Sequence, residues 1–173
     1  GLVLFPISAP ADEEKRITLL LVNDHYTIDA VDGGKLGGIA RLGTLLKQVR
    51  AKDPETLFLH AGDFISPSVE SIFLRGEQMV GAYNALGLTA ATFGNHEFDF
   101  GDATLRQRMK ESRFAWVSSN VYDKATGQPF GGAVPWLLRE VRGVKVGIFG
   151  LTLPETAIMS SPSKQVEFRD PFE

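Results

Sequence analysis

The stretch TFGNHEFDFG, residues 92–101, places an amide, an imidazole and two carboxylates between glycines. The groups belong to Asn95, His96, Glu97 and Asp99. Residues 89–93, at the start of this stretch, form a short and largely apolar run, which predicts a buried strand. Side chains that can bind metal and transfer protons, gathered where a strand ends, indicate a reaction site.

Outward from this stretch, predicted strands and helices alternate along the chain. The strands are predicted at residues 17–22, 57–59, 89–93 and 115–118, and the helices at residues 39–50, 77–86 and 104–112. Two further strands, at residues 137–141 and 144–149, are joined by Arg142-Gly143, a two-residue hairpin signal. This order predicts an α/β layered sheet with a mixed edge.

Polar residues follow four of the predicted strands. Ligands of α/β sheets bind outside the carboxyl ends of the strands, so these residues are expected to converge. An Asp after a strand, taken singly, often caps a turn or helix. As a set, however, carboxylate, amide and imidazole donors suit divalent metals, and two cations that share a carboxylate can activate water against a phosphoryl group. The residues are Asn23-Asp24-His25, His60 with Asp63, Asn95-His96, and Ser119-Asn120.

The composition excludes several classes of protein. The chain has 173 residues, 43% hydrophobic and 23% charged, which is typical of one domain, or most of one, with a proper core. The formal net charge of -3 provides no basic footprint for a nucleic-acid polymer. The lack of cysteine excludes disulfides, cysteine-rich zinc sites and a thiol nucleophile. No apolar run is long enough to cross a bilayer.

Residues 1–16 stand apart from the strand and helix pattern. The first seven residues, GLVLFPI, are mostly apolar, and Ala9-Pro10-Ala11 resembles a small-x-small cleavage site. The segment is interpreted either as the end of a secretory signal or as a disordered leader or short strand. A signal implies a periplasmic or extracellular protein.

Several motifs resemble those of the calcineurin-like metallophosphoesterases. The most specific are GDF, residues 62–64, and GNHEFD, residues 94–99. The surrounding segments resemble the 5'-nucleotidase branch; they are GGIARL at 37–42, AGDFISPS at 61–68, WVSSNV at 116–121 and VGIFGLT at 146–152. The resemblance covers residues 17–173 and implies the N-terminal portion of a four-layer α-β-β-α sandwich with a dinuclear metal site between its sheets.

The resemblance also implies roles for individual residues. Asp24 would bind the first metal, Asp63 would bridge both metals, and Asn95 would bind the second. His96 would contact the substrate phosphate or the leaving oxygen, and Asp99 would orient it, since a carboxylate partner raises a histidine's pKa and fixes its tautomer. Glu97 is interpreted as a structural hydrogen-bonding group.

The sequence departs from the family pattern in two places. The family usually has Asp-x-His after its first strand, whereas this chain has Asp24-His25-Tyr26. Side chains two apart on an extended strand share a face, so Asp24 and Tyr26 are expected to point together, with His25 turned away; both Tyr26 and His25 remain candidate ligands. The family's later Gly-His and Gly-His-x-His metal motifs have no counterpart here.

Three residues each leave two interpretations open. Arg41 positions the substrate or the glycine-rich loop at residues 32–38, or else it forms a surface salt bridge. His60 supports the site from behind Asp63 or is simply packed. Asn120 reaches the site from the fourth strand or forms a turn.

These observations predict a metal-dependent phosphoester hydrolase that resembles the 5'-nucleotidases. Its cofactors would be two divalent metal ions drawn from Mn, Zn, Mg, Co and Fe. A cyclic-nucleotide phosphodiesterase, a nucleotide-sugar pyrophosphatase and a non-catalytic binding module are the alternatives. The remainder of the catalytic domain and a C-terminal substrate domain are expected as partners, and the 173-residue chain alone is expected to be inactive.

Overall fold

The computed structural model describes residues 14–172 of the chain. The interpretation of residues 1–13 as a signal or leader lies outside the described residues. Residues 14–16, which were grouped with that leader, have no regular structure and run directly into the first strand.

Four parallel strands form the central sheet, in the spatial order β1-β2-β3-β4 that also follows the chain. They are β1 (Leu19–Val22), β2 (Leu57–His60), β3 (Ala90–Ala91) and β4 (Ala115–Trp116). Helices connect them: α1 (Ile39–Lys52) after β1, α2 (Val69–Leu74) and α3 (Glu77–Leu86) after β2, and α4 (Gly101–Glu111) after β3. The predicted α/β class with a layered sheet is therefore confirmed, but the predicted mixed edge is wrong, because the central sheet is all parallel and the hairpin strands at residues 136–149 form a separate sheet.

The remaining elements form smaller antiparallel pairs. β5 (Val121–Asp123) pairs with β8 (Val166–Phe168), and the predicted hairpin joins β6 (Trp136–Val141) to β7 (Val144–Phe149). The short helix α5 (Thr156–Met159) lies between β7 and β8. The hairpin turn has positive φ at Arg142 (52°) and Gly143 (74°), which is the backbone that a tight two-residue hairpin requires.

Several elements differ from their predictions, among them β1, which begins at Leu19 and not at residue 17, β4, which ends at Trp116 and not at residue 118, and the unpredicted β5, β8 and α5. The third strand keeps only Ala90–Ala91 of its predicted five residues, because Thr92 onward already belongs to the loop that carries the site. Helix α2 was not predicted, because six residues are too few to display a helical period. Its N-terminal cap, where Ser68 Oγ accepts the Ser71 N–H at 3.0 Å, was its only local signal.

An aromatic core fixes the loops that follow β2 and β3. Phe64 and Phe98, which lie within those loops, are fully buried. Phe64 stacks on Trp116 with ring centroids 5.5 Å apart, and Phe98 packs against Phe93 at 5.6 Å. Burial of an aromatic side chain contributes about 2–3 kcal/mol, so the core holds these loops firmly in place.

One face of the central sheet, the face on which Leu19 and Leu21 lie, is partly uncovered among the described residues. Leu19 and Leu21 on β1 are 54% and 61% exposed. They line an apolar cavity of about 370 Å³ together with Leu59 and residues of β7. No helix within residues 14–172 is long and apolar enough to cross a bilayer.

Candidate active site

The loops that follow β1, β2 and β3 meet at the carboxyl end of the sheet. The Asp24 N–H donates to the carbonyl oxygen of Gly62 at 3.2 Å, which joins the first loop to the second. The His96 N–H donates to Asp63 Oδ1 at 2.8 Å, which joins the third loop to the second. The structure thus brings together three of the four predicted strand ends.

The second and third loops approach so closely that only glycine fits at their contact points. A Cβ on Gly94 would lie 2.2 Å from Asp63 Oδ1, and a Cβ on Gly62 would lie 2.3 Å from the Gly94 nitrogen. Asp63 itself has a φ of 64°, a left-handed conformation that few non-glycine residues adopt. The glycines of GDF and GNH are therefore required by the packing of one loop against the other.

Glu97 ties the second and third loops together from below. Its buried carboxylate accepts N–H donors from Asp63 (2.8 Å), Phe64 (2.9 Å) and Gly94 (2.6 Å), with Ile65 a weaker fourth at 3.4 Å. Burial raises the pKa of Glu97 to about 7, while the backbone donors act in the opposite direction. The structural hydrogen-bonding role interpreted from the sequence is the one that these contacts describe.

His96 and Asp99 form a hydrogen-bonded dyad in a single 3₁₀ turn. His96 Nδ1 lies 2.7 Å from Asp99 Oδ2, so the carboxylate fixes Nδ1 as the protonated nitrogen and leaves Nε2 for a ligand. Partial burial lowers the pKa of His96, but the hydrogen bond and charge of Asp99 outweigh burial, and the pKa lies above its ordinary value. His96 is 32% exposed, which is compatible with contact to a bound substrate.

The first loop carries Asp24 in an exposed position. Its Oδ1 accepts the Tyr26 hydroxyl at 2.6 Å, and its Oδ2 accepts Asn23 Nδ2 at 2.5 Å. These two hydrogen bonds lower the pKa of Asp24, and the bond from Tyr26 has the larger effect. Burial and the hydrogen bond to Asp24 both raise the pKa of Tyr26. The Tyr26 ring also lies edge-on to the His96 ring, with centroids 5.8 Å apart.

His25 points away from the carboxylates, as expected, although Asp24 has a left-handed φ of 50° and the segment after β1 is not an extended strand. Its Nδ1 lies 2.8 Å from the buried Tyr83 hydroxyl, and burial lowers its pKa. The structure therefore places Tyr26, and not His25, beside Asp24.

Two groups of the site remain available to bind a divalent metal ion. Asp63 Oδ2 and the Asn95 side chain make no hydrogen bond within the described residues. Burial raises the pKa of Asp63, and the nearby charges of Asp24 and Asp99 add to that effect. A bound cation would relieve this concentration of negative charge, so the hard oxygen donors suit a metal.

The donor set is nevertheless incomplete within residues 14–172. No group of three or more His, Cys, Asp or Glu side chains in that range could hold a metal ion. A stable transition-metal site normally takes at least three protein ligands. The described residues therefore fit part of a metal centre, and further donors are required for tight binding.

Arg41 stabilises the glycine-rich loop. Its guanidinium donates to the carbonyl oxygen of Gly37 at 3.1 Å and to that of Gly34, and Arg41 lines a cleft together with Asp24 and His25. It forms no salt bridge within the part of the chain that the structure describes. Loop positioning, and not an ion pair, is the role that these contacts support.

His60 both supports the turn into Asp63 and packs in the core, so it fills the two roles that the sequence left open. It is buried, and its Nδ1 accepts the Gly62 N–H at 3.1 Å at the turn into Asp63. Its ring also packs against those of Phe64 (4.7 Å) and Tyr83 (4.9 Å). Burial lowers the pKa of His60 to about 3, so the ring is neutral and acts as an acceptor.

The fourth strand end does not join the site. The Asn120 side chain is buried and bonds the backbone of Thr152, through both N–H and carbonyl, and the carbonyl oxygen of Arg169. The Asn120 amide does not reach the site, because long-range backbone partners saturate it, while its backbone lies in a bend at residues 119–120. Sequence reasoning also missed Ser160, whose hydroxyl donates to Asp99 Oδ1 at 2.6 Å; no local pattern marks a contact between such distant residues.

Comparison with known proteins agrees with this geometry. The family model described as calcineurin-like phosphoesterase matches residues 17–144. Snake venom 5'-nucleotidase of Gloydius brevicauda is 35% identical over 169 residues, which cover 91% of this chain and 29% of that protein. Protein UshA of Escherichia coli (strain K12) is 33% identical over 166 residues, 92% of this chain and 30% of that protein.

A solved structure shows the same relationship in three dimensions. The 5'-nucleotidase precursor from Thermus thermophilus matches with a TM-score of 0.81 and 35% identity, over 90% of this chain and 32% of that chain. The present chain thus spans less than a third of the length of these relatives. The family match, the relatives and the fold together establish that the chain belongs to the calcineurin-like phosphoesterase family.

Proposed function

We propose that the intact protein is a metal-dependent phosphoester hydrolase that acts on the 5'-phosphate of a nucleotide. The observation that carries the proposal is the joining of the Asp63 carboxylate to the His96–Asp99 dyad, through the 2.8 Å bond from His96 N–H to Asp63 Oδ1. This contact supports the proposal, because it joins in one rigid unit the carboxylate that would bind metal and the imidazole that would donate a proton. The similarity to 5'-nucleotidases of venom and bacteria supports a nucleotide substrate.

The proposed roles rest on the family resemblance and on the side-chain atoms that remain available. Asp24 and Asn95 would each help to hold one divalent cation, and Asp63 would contribute to holding both. Two divalent cations, when bound, supply Lewis acidity and lower the pKa of a water molecule. His96, protonated and oriented by Asp99, donates from Nε2 to a phosphate oxygen and stabilises the charge that develops there.

The described residues alone do not supply all the groups that this reaction requires. The donor set is incomplete, so further ligands from the intact protein complete the metal centre, and a separate region recognises the nucleotide. The chain alone is therefore expected to bind metal weakly and to lack measurable hydrolysis. A periplasmic or extracellular location is part of the proposal, and the venom relative supports it.

A second candidate function is a non-catalytic binding module. The observation in its favour is the Tyr26 hydroxyl on Asp24 Oδ1, which occupies an oxygen that a first metal would use. In such a module, the dyad would bind a phosphate group without turnover. Phosphate binding without nucleotide hydrolysis at any metal concentration would favour this candidate.

The decisive experiment is metal removal and replacement in the intact protein, combined with Asp63→Asn. We expect nucleotide hydrolysis to disappear with a chelator, to return with manganese, and to be mostly lost in Asp63→Asn. The matched control is Asp29→Asn, because Asp29 is an exposed carboxylate in the loop after β1 and makes no side-chain hydrogen bond among the described residues. Hydrolysis at an equal rate without metal would contradict the proposal.

A further inference from the structure

Asp99 makes two hydrogen bonds, one through each carboxylate oxygen. Oδ2 accepts the His96 Nδ1–H at 2.7 Å, and Oδ1 accepts the Ser160 hydroxyl at 2.6 Å. Ser160 directly follows helix α5 and is separated from Asp99 by 61 positions in sequence. Ser160, Asp99 and His96 therefore form a continuous hydrogen-bonded chain that ends at the proposed substrate-facing nitrogen.

Asp99 has no competing structural task as a helix cap. Helix α4 begins at Gly101, its N-cap is Phe100, and no side chain caps it. A carboxylate held by His96 alone could rotate about its last torsion and exchange its oxygens. The Ser160 hydroxyl removes that freedom, because a hydrogen bond to a charged oxygen is short and directional.

The hydroxyl of Ser160 is itself held in place. Its backbone N–H donates to the Thr156 carbonyl oxygen at 3.2 Å at the end of α5. Three residues later, the Ser163 N–H donates to Asp102 Oδ1 at 3.0 Å, and the Ser163 hydroxyl donates to Asp102 Oδ2. The segment is thus anchored on both sides of its contact with Asp99.

We propose that Ser160 is a positioning residue for His96, acting through Asp99, in the phosphoester hydrolysis proposed above. The inference rests on that function for its kinetic consequence, but its structural consequence is independent of turnover. Ser160 fixes the plane of the Asp99 carboxylate, and this fixes the direction in which His96 Nε2 points. Loss of the hydroxyl would misdirect the imidazole and leave metal binding unchanged, because Asp24, Asp63 and Asn95 make no hydrogen bond with Ser160 in the described residues.

The test compares Ser160→Thr with Ser160→Val in the intact protein, since the two side chains have nearly equal volume and only threonine keeps a hydroxyl. We expect Ser160→Thr to retain most of the wild-type kcat and Ser160→Val to lose roughly tenfold, with KM and metal content unchanged. Ser161→Val is the matched control, because Ser161 is exposed and its side chain makes no hydrogen bond within the described residues. It should leave kcat near that of the wild type.

A second readout is needed that does not depend on hydrolysis. In protein labelled with ¹⁵N-histidine, the His96 Nδ1 proton should remain protected from exchange in wild type, Ser160→Thr and Ser161→Val, and its signal should broaden in Ser160→Val. Equal signals and equal kcat in Ser160→Val and Ser161→Val would overturn the inference. If the wild type hydrolyses nothing, the proposed function fails, and the proton signal alone still decides whether Ser160 positions the ring.

Discussion

The two halves of the candidate site are built in different ways. The buried loop pair, residues 61–66 and 94–100, is held by the Glu97 carboxylate and by Phe64 and Phe98 in the core. The first loop, residues 23–38, is largely exposed, and it is joined to distant segments by the bond from Asp24 N–H to Gly62 and the bond between His25 and Tyr83. Asp24 in that loop bonds only Asn23 and Tyr26 through its side chain.

This difference teaches where the site is preorganised. Asp63, His96 and Asp99 have their backbone or side-chain positions fixed by contacts between distant segments, so they are in place before a ligand arrives. The Asp24 carboxylate has no such support: its backbone N–H bonds Gly62, but its side chain is held only by Asn23 and Tyr26, and its φ is a left-handed 50°. We therefore expect changes in the loop pair to have larger effects than changes in the first loop.

The largest effect is expected from His96→Ala in the intact protein. Loss of a positioned proton donor typically lowers the rate by ~10²–10⁴-fold. Metal content should stay near that of the wild type, because His96 faces the substrate in the proposed mechanism. Asn95→Ala is the contrasting variant and should lose metal. Stoichiometric metal loss from His96→Ala, measured by elemental analysis, would show that His96 is a ligand.

The second-largest effect is expected from Glu97→Gln, which removes a hydrogen-bond acceptor within the loop pair. Glu97→Gln replaces an acceptor with an NH₂ group that faces backbone N–H donors, so at least one buried donor loses its partner. The free energy of unfolding should fall by about 3 kcal/mol. Urea unfolding followed by circular dichroism measures it, with Glu140→Gln on exposed β6 as the control. Equal stability of the two variants would mean that Glu97 does not hold the loops together.

The same contrast explains how much of the fold was predictable. Helices α1, α3 and α4 and the hairpin at Arg142-Gly143 follow from local signals, because amphipathic spacing and turn chemistry lie within a few neighbouring residues. The pairing of β5 with β8 joins distant segments, and nothing in either three-residue strand specifies its partner. Helix α2 is too short for its period to be recognised.

For the candidate site, the sequence indicated residue types and strand ends, while the resemblance supplied roles. The common direction of Asp24 and Tyr26 followed from strand alternation and agrees with their 2.6 Å hydrogen bond. The contribution of Ser160 and the saturation of Asn120 could not be predicted, since both depend on contacts that only the folded chain creates. The metal roles of Asp24, Asp63 and Asn95 stay predictions.

The next prediction concerns the first loop, where a substitution is expected to strengthen metal binding. Tyr26→His restores the Asp-x-His pattern usual in the family and places an imidazole where the phenol now contacts Asp24. We expect metal affinity of the intact protein to rise roughly tenfold, because neutral imidazole is a better donor to divalent transition metals. Manganese titration by calorimetry measures the change. Tyr122→His, in β5, is the control, and an equal affinity in both variants would contradict the expectation.

The smallest effect concerns pH and His60, which supports the loop pair at the turn into Asp63. Burial lowers the pKa of His60 to about 3 from an ordinary value of 6.5. Below pH 6.5 the unfolded chain binds a proton at His60, whereas the folded chain does not bind it until the pH approaches about 3. The contribution of neutral His60 to stability is thus present above pH 6.5 and is lost progressively as pH falls towards about 3.

His60→Asn isolates this contribution, because Asn Oδ1 can still accept the Gly62 N–H but does not titrate. Between roughly pH 7 and pH 6, the wild-type chain should lose about 0.7 kcal/mol more unfolding free energy than the variant, measured by urea unfolding at both pH values. Other titrating groups are common to both proteins and cancel in the difference. Equal pH sensitivity of wild type and His60→Asn would mean that His60 takes up a proton within the folded loop pair, and that this part of the site is more open to water than its packing indicates.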